Sequence, residues 1–272
     1  MIKSPFQGFS ENWGARLRCQ VAVFFVFTSF FQAQEKPTWY FSPPQSDNLL
    51  YATGLSPQYQ KPEDSFAAAQ ENAIGNLTRE IKVRLISGLA SVSGLGSYLK
   101  QSFAIEFIDS TIYNAVSKNA VPIDSINYDG YTYYLMAIKH NLEKPTARNI
   151  NQWRKSNASL RYYDKDKGKP TWLNILPKSK GIIFSVGMSS NYLNLNDCWD
   201  NSAKDARVNL AKEIQVQIKS KNVGYKTGGT NQNKKWLEET TNVELNDTRI
   251  VERWYDKNKN LYYTLIEHKL IN

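Results

Sequence analysis

Residues 36–84 and 169–217 are one stretch of sequence written twice, at a constant offset of 133 with no insertion. Lys36-Pro37-Thr38-Trp39 recurs as Lys169-Pro170-Thr171-Trp172, Pro44 as Pro177, Gly54 as Gly187 and Ser56 as Ser189. Ala73 recurs as Ala206, Leu77 as Leu210, Glu80-Ile81 as Glu213-Ile214 and Val83 as Val216. A register this long reads as a tandem duplication, and it predicts two similar units.

Each unit is predicted to open with Pro-Thr-Trp and an extended, proline-bearing stretch (Trp39 to Pro44 in the first copy), because proline fixes φ and removes a donor. A short strand follows, Leu49 to Gly54 or Ile182 to Gly187, closed by a glycine that marks a turn or a close backbone approach. Phe66, Ala69, Ala73, Ile74 and Leu77 then hold one helical face, as do Trp199, Ala203, Ala206 and Leu210. Asp64 or Ser65 is a candidate cap after Pro62. Strict alternation at Ile81, Val83 and Leu85, and at Ile214, Val216 and Ile218, predicts a half-buried strand after each helix.

The middle of each unit is less readable. Gly88 to Gly96 is glycine- and serine-rich, as is Gly224 to Gly229, and Phe103 to Ile108 reads as a strand, although residues 100–115 also suit a helix. Each unit ends in a hairpin, with Asp129-Gly130 as the first turn and Asp256 to Asn260 as the second. The fold class is therefore α+β: two tandem β-α-β-(β/α)-β-β repeats, each an antiparallel sheet covered on one face by a helix. The predicted boundaries are a signal peptide at 1–34, a first repeat at 35–142, a basic linker at 143–169 and a second repeat at 170–272. Trp153, Leu160, Tyr162 and Tyr163 suggest that the linker docks against a repeat.

The leader reading rests on Lys3, Arg16 and Arg18 ahead of the apolar run Val21 to Phe31, which is too short to span a bilayer but suits export, with cleavage near Ala33. Cys19 would leave with it, so Cys198 stands alone and stability must come from apolar burial. The net charge of +9 is unevenly placed, with +5 of it in residues 143–169. That pattern suits a solvated connector, or adhesion to anionic lipid or an envelope polymer. For an exported chain it does not point to nucleic acid.

Little in the sequence carries chemistry. His140 and His268 fall near the ends of last strands, and no ligands cluster with them by spacing. Cys198 sits near a helix start, yet its counterpart is Ser65 and no histidine partner is implied. Glu80 and Glu213 are matched acids with a structural role at the helix-to-strand junction. The tyrosines of the terminal hairpins read as cross-strand packing. Asn76, Asn157 and Asn246 head Asn-x-Ser/Thr triplets. No catalytic, cofactor-binding or metal residue is assigned, the binding residues stay unknown, and no cofactor is expected.

The combination of Pro-x-Trp, Pro43-Pro44, Tyr51-Ala52-x-Gly54, an alanine-rich helix, Ile-x-Val and a tyrosine-rich last strand resembles the Lpp-twenty family of bacterial envelope lipoproteins, in two tandem copies. It is also similar in outline to the N-terminal domain of flagellar assembly protein T. The resemblance implies a small α/β envelope domain with no established enzymatic activity, in the periplasm or at the outer membrane. Family members usually carry a lipobox and this chain does not, which favours a periplasmic or secreted protein. The expected function is a non-enzymatic envelope module that binds a protein partner. The alternative is a module for an envelope polymer or small ligand, using Trp39, Trp172 or the tyrosine strands.

Overall fold

Gly54 and Gly187 each let a helix lie directly on a strand, and the rest of the fold is arranged around those two contacts. The structure, a computed structural model, describes residues 36–94, 97–146, 162–164, 168–223 and 241–270. The chain runs α1 (Thr38–Phe41), β1 (Leu49–Pro57), α2 (Pro62–Ile81), β2 (Lys82–Gly94), β3 (Ser97–Ile108), α3 (Ser110–Asn119), β4 (Val121–Tyr128) and β5 (Tyr131–Lys139). It continues through the two-residue strands β6 (Tyr163–Asp164) and β7 (Lys169–Pro170), a 3-10 turn (Thr171–Leu173) and β8 (Ile182–Ser190). It ends with α4 (Leu195–Val223), β9 (Thr241–Asn246), β10 (Thr248–Asp256) and β11 (Leu261–Lys269).

Among the described residues this is an α+β fold of three small antiparallel sheets with four helices packed against them. The first sheet has the order β1-β5-β4, the second β8-β11-β10 and the third β3-β2-β9. A Cβ on Gly54 would come within 1.9 Å of the Ala69 carbonyl oxygen. A Cβ on Gly187 would come within 2.0 Å of Ala206 N and 2.1 Å of Ser202 O. Both approaches are backbone to backbone, so only glycine fits.

Helix α2 starts with Pro62 and has Glu63 and Asp64 in its first turn, which suit the N-terminal end of a helix dipole. No side chain caps it; the expected cap Ser65 instead accepts a hydrogen bond from Tyr59 N at 2.7 Å. Of the stretch Trp39 to Pro44, expected to be extended, Trp39 to Phe41 forms a helical turn, and Thr171 to Leu173 does the same in the second copy. Tyr40 N bonds to Pro37 O and Asn174 N to Thr171 O, and the turns seat Trp39 and Trp172 in the core. The first hairpin is as predicted, with Asp129 and Gly130 both at positive φ, the geometry a two-residue turn needs.

One expectation changes, and two open stretches take a definite form. Gly88 to Gly94 belongs to β2, which pairs with β3 from Val83↔Ile108 to Gly94↔Ser97 without a register shift. The helix-or-strand stretch is both: β3 ends at Ile108, and Asp109 then caps α3 by accepting from Thr111 N and Ile112 N. The strand expected at Ile214, Val216 and Ile218 is helix, because α4 runs on through Lys, Glu and Gln to Val223. These are strong helix formers, and the place a second β2 would occupy on a sheet is filled differently. Strand β9 pairs with β2 of the first half, from Lys82↔Asn246 to Ser87↔Thr241.

Residues 35–272 accordingly form one compact unit. Its core mixes the halves: Tyr40, Tyr51 and Tyr133 cluster with Cys198, Trp199 and Tyr262, and Val83 and Leu85 cluster with Ala206, Leu210 and Leu245. The expected leader at 1–34 lies outside the described residues, as do Trp153 and Leu160. Tyr162, at the end of the basic segment, packs beside Trp172, and its N–H bonds to Glu252. Among the described residues no helix is long and apolar enough to cross a membrane.

Candidate functional site

Sheet edges expose unpaired N–H and C=O groups, so each edge raises the question of what satisfies them. On α2, Asn72 accepts from Leu55 N at 3.1 Å and Asn76 donates to Thr53 O at 2.9 Å, closing the outer edge of β1. On α4, Asp205 accepts from Met188 N at 2.9 Å and Asn209 donates to Val186 O at 3.0 Å, closing the outer edge of β8. All four members sit at the 133 offset. So do Ser65 and Cys198: Cys198 Sγ accepts from Tyr192 N at 3.1 Å as Ser65 Oγ does from Tyr59 N. Cys198 is thus buried at the start of α4, an acceptor for the turn before it. The clamp residues were missed in the sequence because polar helix positions read as a solvated face; their i, i+4 spacing and shared offset were the available signal.

A seam of buried charge joins the halves. Arg253 on β10 reaches the first half, donating to Tyr40 O at 2.6 Å and Thr53 Oγ1 at 2.8 Å, with its guanidinium 4.5 Å from the centre of the Tyr40 ring. Arg249 donates to Ser46 O and to His140 Nε2, both at 3.2 Å. An arginine can only donate, so His140 accepts as the neutral imidazole. Burial, then the Arg249 charge, lower its pKa accordingly. Glu106 on β3 is held by Arg207 at 2.7 and 3.2 Å and by Arg79 at 3.2 Å. Burial alone would raise its pKa, but the two arginines outweigh that and hold the carboxyl below its usual value.

Glu80 is the outlier of the seam. Its Oε1 accepts from Ile250 N at 3.4 Å, its Oε2 has no hydrogen-bond partner, and burial pushes its pKa up to about 8. A neutral carboxylic acid sits there at moderate pH, consistent with a structural post at the joint. Glu213 is on the continuing part of α4 and is not brought to Glu80's position in the joint. His268 is half-buried with its pKa lowered by burial, and no group of three or more His, Cys, Asp or Glu among the described residues could hold a metal. Trp39 and Trp172 are buried, the latter donating to Glu252 at 2.7 Å, so neither offers a face for ligand stacking. The hairpin tyrosines pack as read: Tyr255 stacks on Tyr262, which meets Trp199 edge-on.

Two open surfaces remain. One is β3, an edge strand whose Phe103, Ile105 and Phe107 point to the same exposed face. Strand β10 has Ile250 N bonded to Glu80 and Ile250 O to Gln45, and β4 carries Pro122 and a bulge, whereas among the described residues neither device is seen on β3. The other is a groove of about 590 Å³ between the β2–β3 hairpin and β8, floored by α4, and adjoining a shallower hollow at Ala104, Asn201 and Lys204.

No protein-family profile and no curated protein sequence matches the chain. A crystal structure of a hypothetical protein from Francisella tularensis is similar at 12% identity and a TM-score of 0.24, over 81% of this chain and 83% of that one.

Proposed function

We propose that this chain is an exported, non-enzymatic cell-envelope module that docks a protein partner through the open edge of β3. The observation that carries the reading is the contrast between edges. Among the described residues, β1, β8 and β10 each have an outer-edge N–H and C=O held by side chains, while β3 presents 12 residues of edge with Phe103, Ile105 and Phe107 exposed beside it. The half of β3 from Phe103 to Ile108 has no lysine, proline or bulge, and such an edge accepts another strand, with main-chain bonds giving affinity and side chains giving selectivity. Export follows from the leader-like residues 1–34 and the resemblance to envelope lipoproteins. Two tandem copies of one unit are supported by the matched clamps, glycines and turn acceptors, and by the like strand orders β1-β5-β4 and β8-β11-β10.

The test is cell fractionation with a photocrosslinker placed at Ile105, whose side chain is about half exposed. The expected result is a discrete crosslinked partner in the envelope fraction that disappears in Ile105→Lys, because a charge on an edge blocks strand pairing without touching the core. Recovery of intact protein from cytosol alone, or a crosslink indifferent to the lysine, overturns the reading.

A further inference from the structure

The groove beside α4 has a charge imbalance that a ligand would complete. The groove itself is lined by two cations, Lys204 and Lys212, and one acid, Asp205, and the acids in and beside it have their hydrogen-bond donors within the protein. Asp205 accepts from Met188 N, Asp200 from Asn72 and Asn196, and Glu106 from Arg207. Lys204 adds to the field of Arg207 and Arg79 on Glu106 from beyond ion-pair distance, and neither it nor Lys212 on the same floor makes an ion pair within 4.0 Å of a described carboxylate. The excess charge of the groove is therefore positive, in a concavity that sharpens the field. Ser87 lines the same groove, is 2% exposed, and has a hydroxyl without a partner. Such groups are normally satisfied, so its lack of one marks a place where a polar atom belongs.

The walls narrow the ligand's class. Strand β8 borders the groove at Met188 to Ser190, but its outer-edge groups at Val186 and Met188 are occupied by Asn209 and Asp205. An added peptide strand finds no open backbone there, so side chains must do the holding. Those side chains are hydroxyls, the Asn201 amide, and the rings of Tyr192 and Phe103, which are 51% and 36% exposed. Aromatic faces with hydroxyl and amide partners suit the flat apolar faces and hydroxyl rims of sugar rings. Lys204 and Lys212 lie eight residues apart on one helix, about 12 Å along its axis, a span that suits several linked units.

We propose that this groove binds an anionic oligosaccharide, with Lys204 and Lys212 meeting its carboxylates and Tyr192 stacking on a ring. Phe103 borders both this groove and the exposed face of β3, but the binding groups under test are Lys204, Lys212 and Tyr192, and Ile105 plays no part in the site.

The test is calorimetric titration of the full chain with oligogalacturonate, with neutral maltohexaose and oligoglutamate as comparison probes. Oligogalacturonate should bind and weaken with salt. Lys204→Ala/Lys212→Ala should weaken it at least tenfold with an unchanged melting temperature, which separates the groove from the basic stretch at 143–169. Tyr192→Ala, which keeps the backbone bond to Cys198, should weaken oligogalacturonate while leaving any oligoglutamate binding as it was. Absence of binding, equal affinity in the double-lysine variant, or oligoglutamate binding as tightly as the sugar with the same dependence on Tyr192 would each overturn the proposal.

Discussion

Glu80 is a carboxyl placed where a charge is costly, and its proton decides how firmly the joint holds. Its pKa rises from the usual 4.5 to about 8 on folding, chiefly through desolvation. The folded state then binds the proton more tightly than the unfolded state. Its contribution is complete below about pH 4.5 and is lost as pH rises through 8, an effect on the order of a few kcal/mol. Glu80→Gln keeps the shape and the acceptor for Ile250 N while removing the titration. Between pH 5 and 9 the variant should lose less stability than the parent in urea titrations, and should be the more stable protein at pH 9. Parallel pH profiles would contradict this. At this scale the sequence was partly legible: Glu80 as structural and Cys198 as the counterpart of Ser65 could both be read from the offset. That Glu80 meets β10 could not, because the contact is set by a fold that brings residues 80 and 250 together.

Each strand–helix pair depends on one absent side chain. Gly187→Ala would drive a methyl into the backbone of α4 at Ser202 and Ala206, and the helix must lift to admit it. The expected cost is about 3 kcal/mol, from overpacking and from weakened clamp bonds at Asp205 and Asn209. Thermal unfolding would register this as a marked drop in Tm, with Gly54→Ala behaving alike. Replacement of Gly181, which has open space around its Cβ position but a φ of 74°, should cost less. The close approach was visible in the sequence as a glycine at the same place in both copies, opposite small helical residues. The overrun of α4 was not, because Ile214-Gln-Val-Gln-Ile218 alternates as cleanly as a strand. What separates the copies is a long-range partner: β2 has β3 as a hairpin mate, and β9 takes its other side.

Taken as one body, the molecule is held across its halves by the β2–β9 ladder, the mixed clusters and the reach of Arg253 and Arg249 into residues 40–53. Fragments 36–142 and 170–272 each lack part of that arrangement. The first loses the strand beside β2 and exposes Val83 and Leu85, which are fully buried in the whole chain. The expectation is that neither fragment unfolds cooperatively alone, and that residues 36–272 melt in a single transition. A sharp calorimetric transition from 36–142 by itself would show that the first half is self-sufficient. Edge strand β3 also carries a consequence for handling. Among the described residues, β1, β8 and β10 each have an outer-edge N–H already held by a side chain, whereas β3 offers a ribbon about 40 Å long. Concentrating the protein without its natural company should turn that ribbon upon itself, and the onset of turbidity should be governed by the few side chains that flank it.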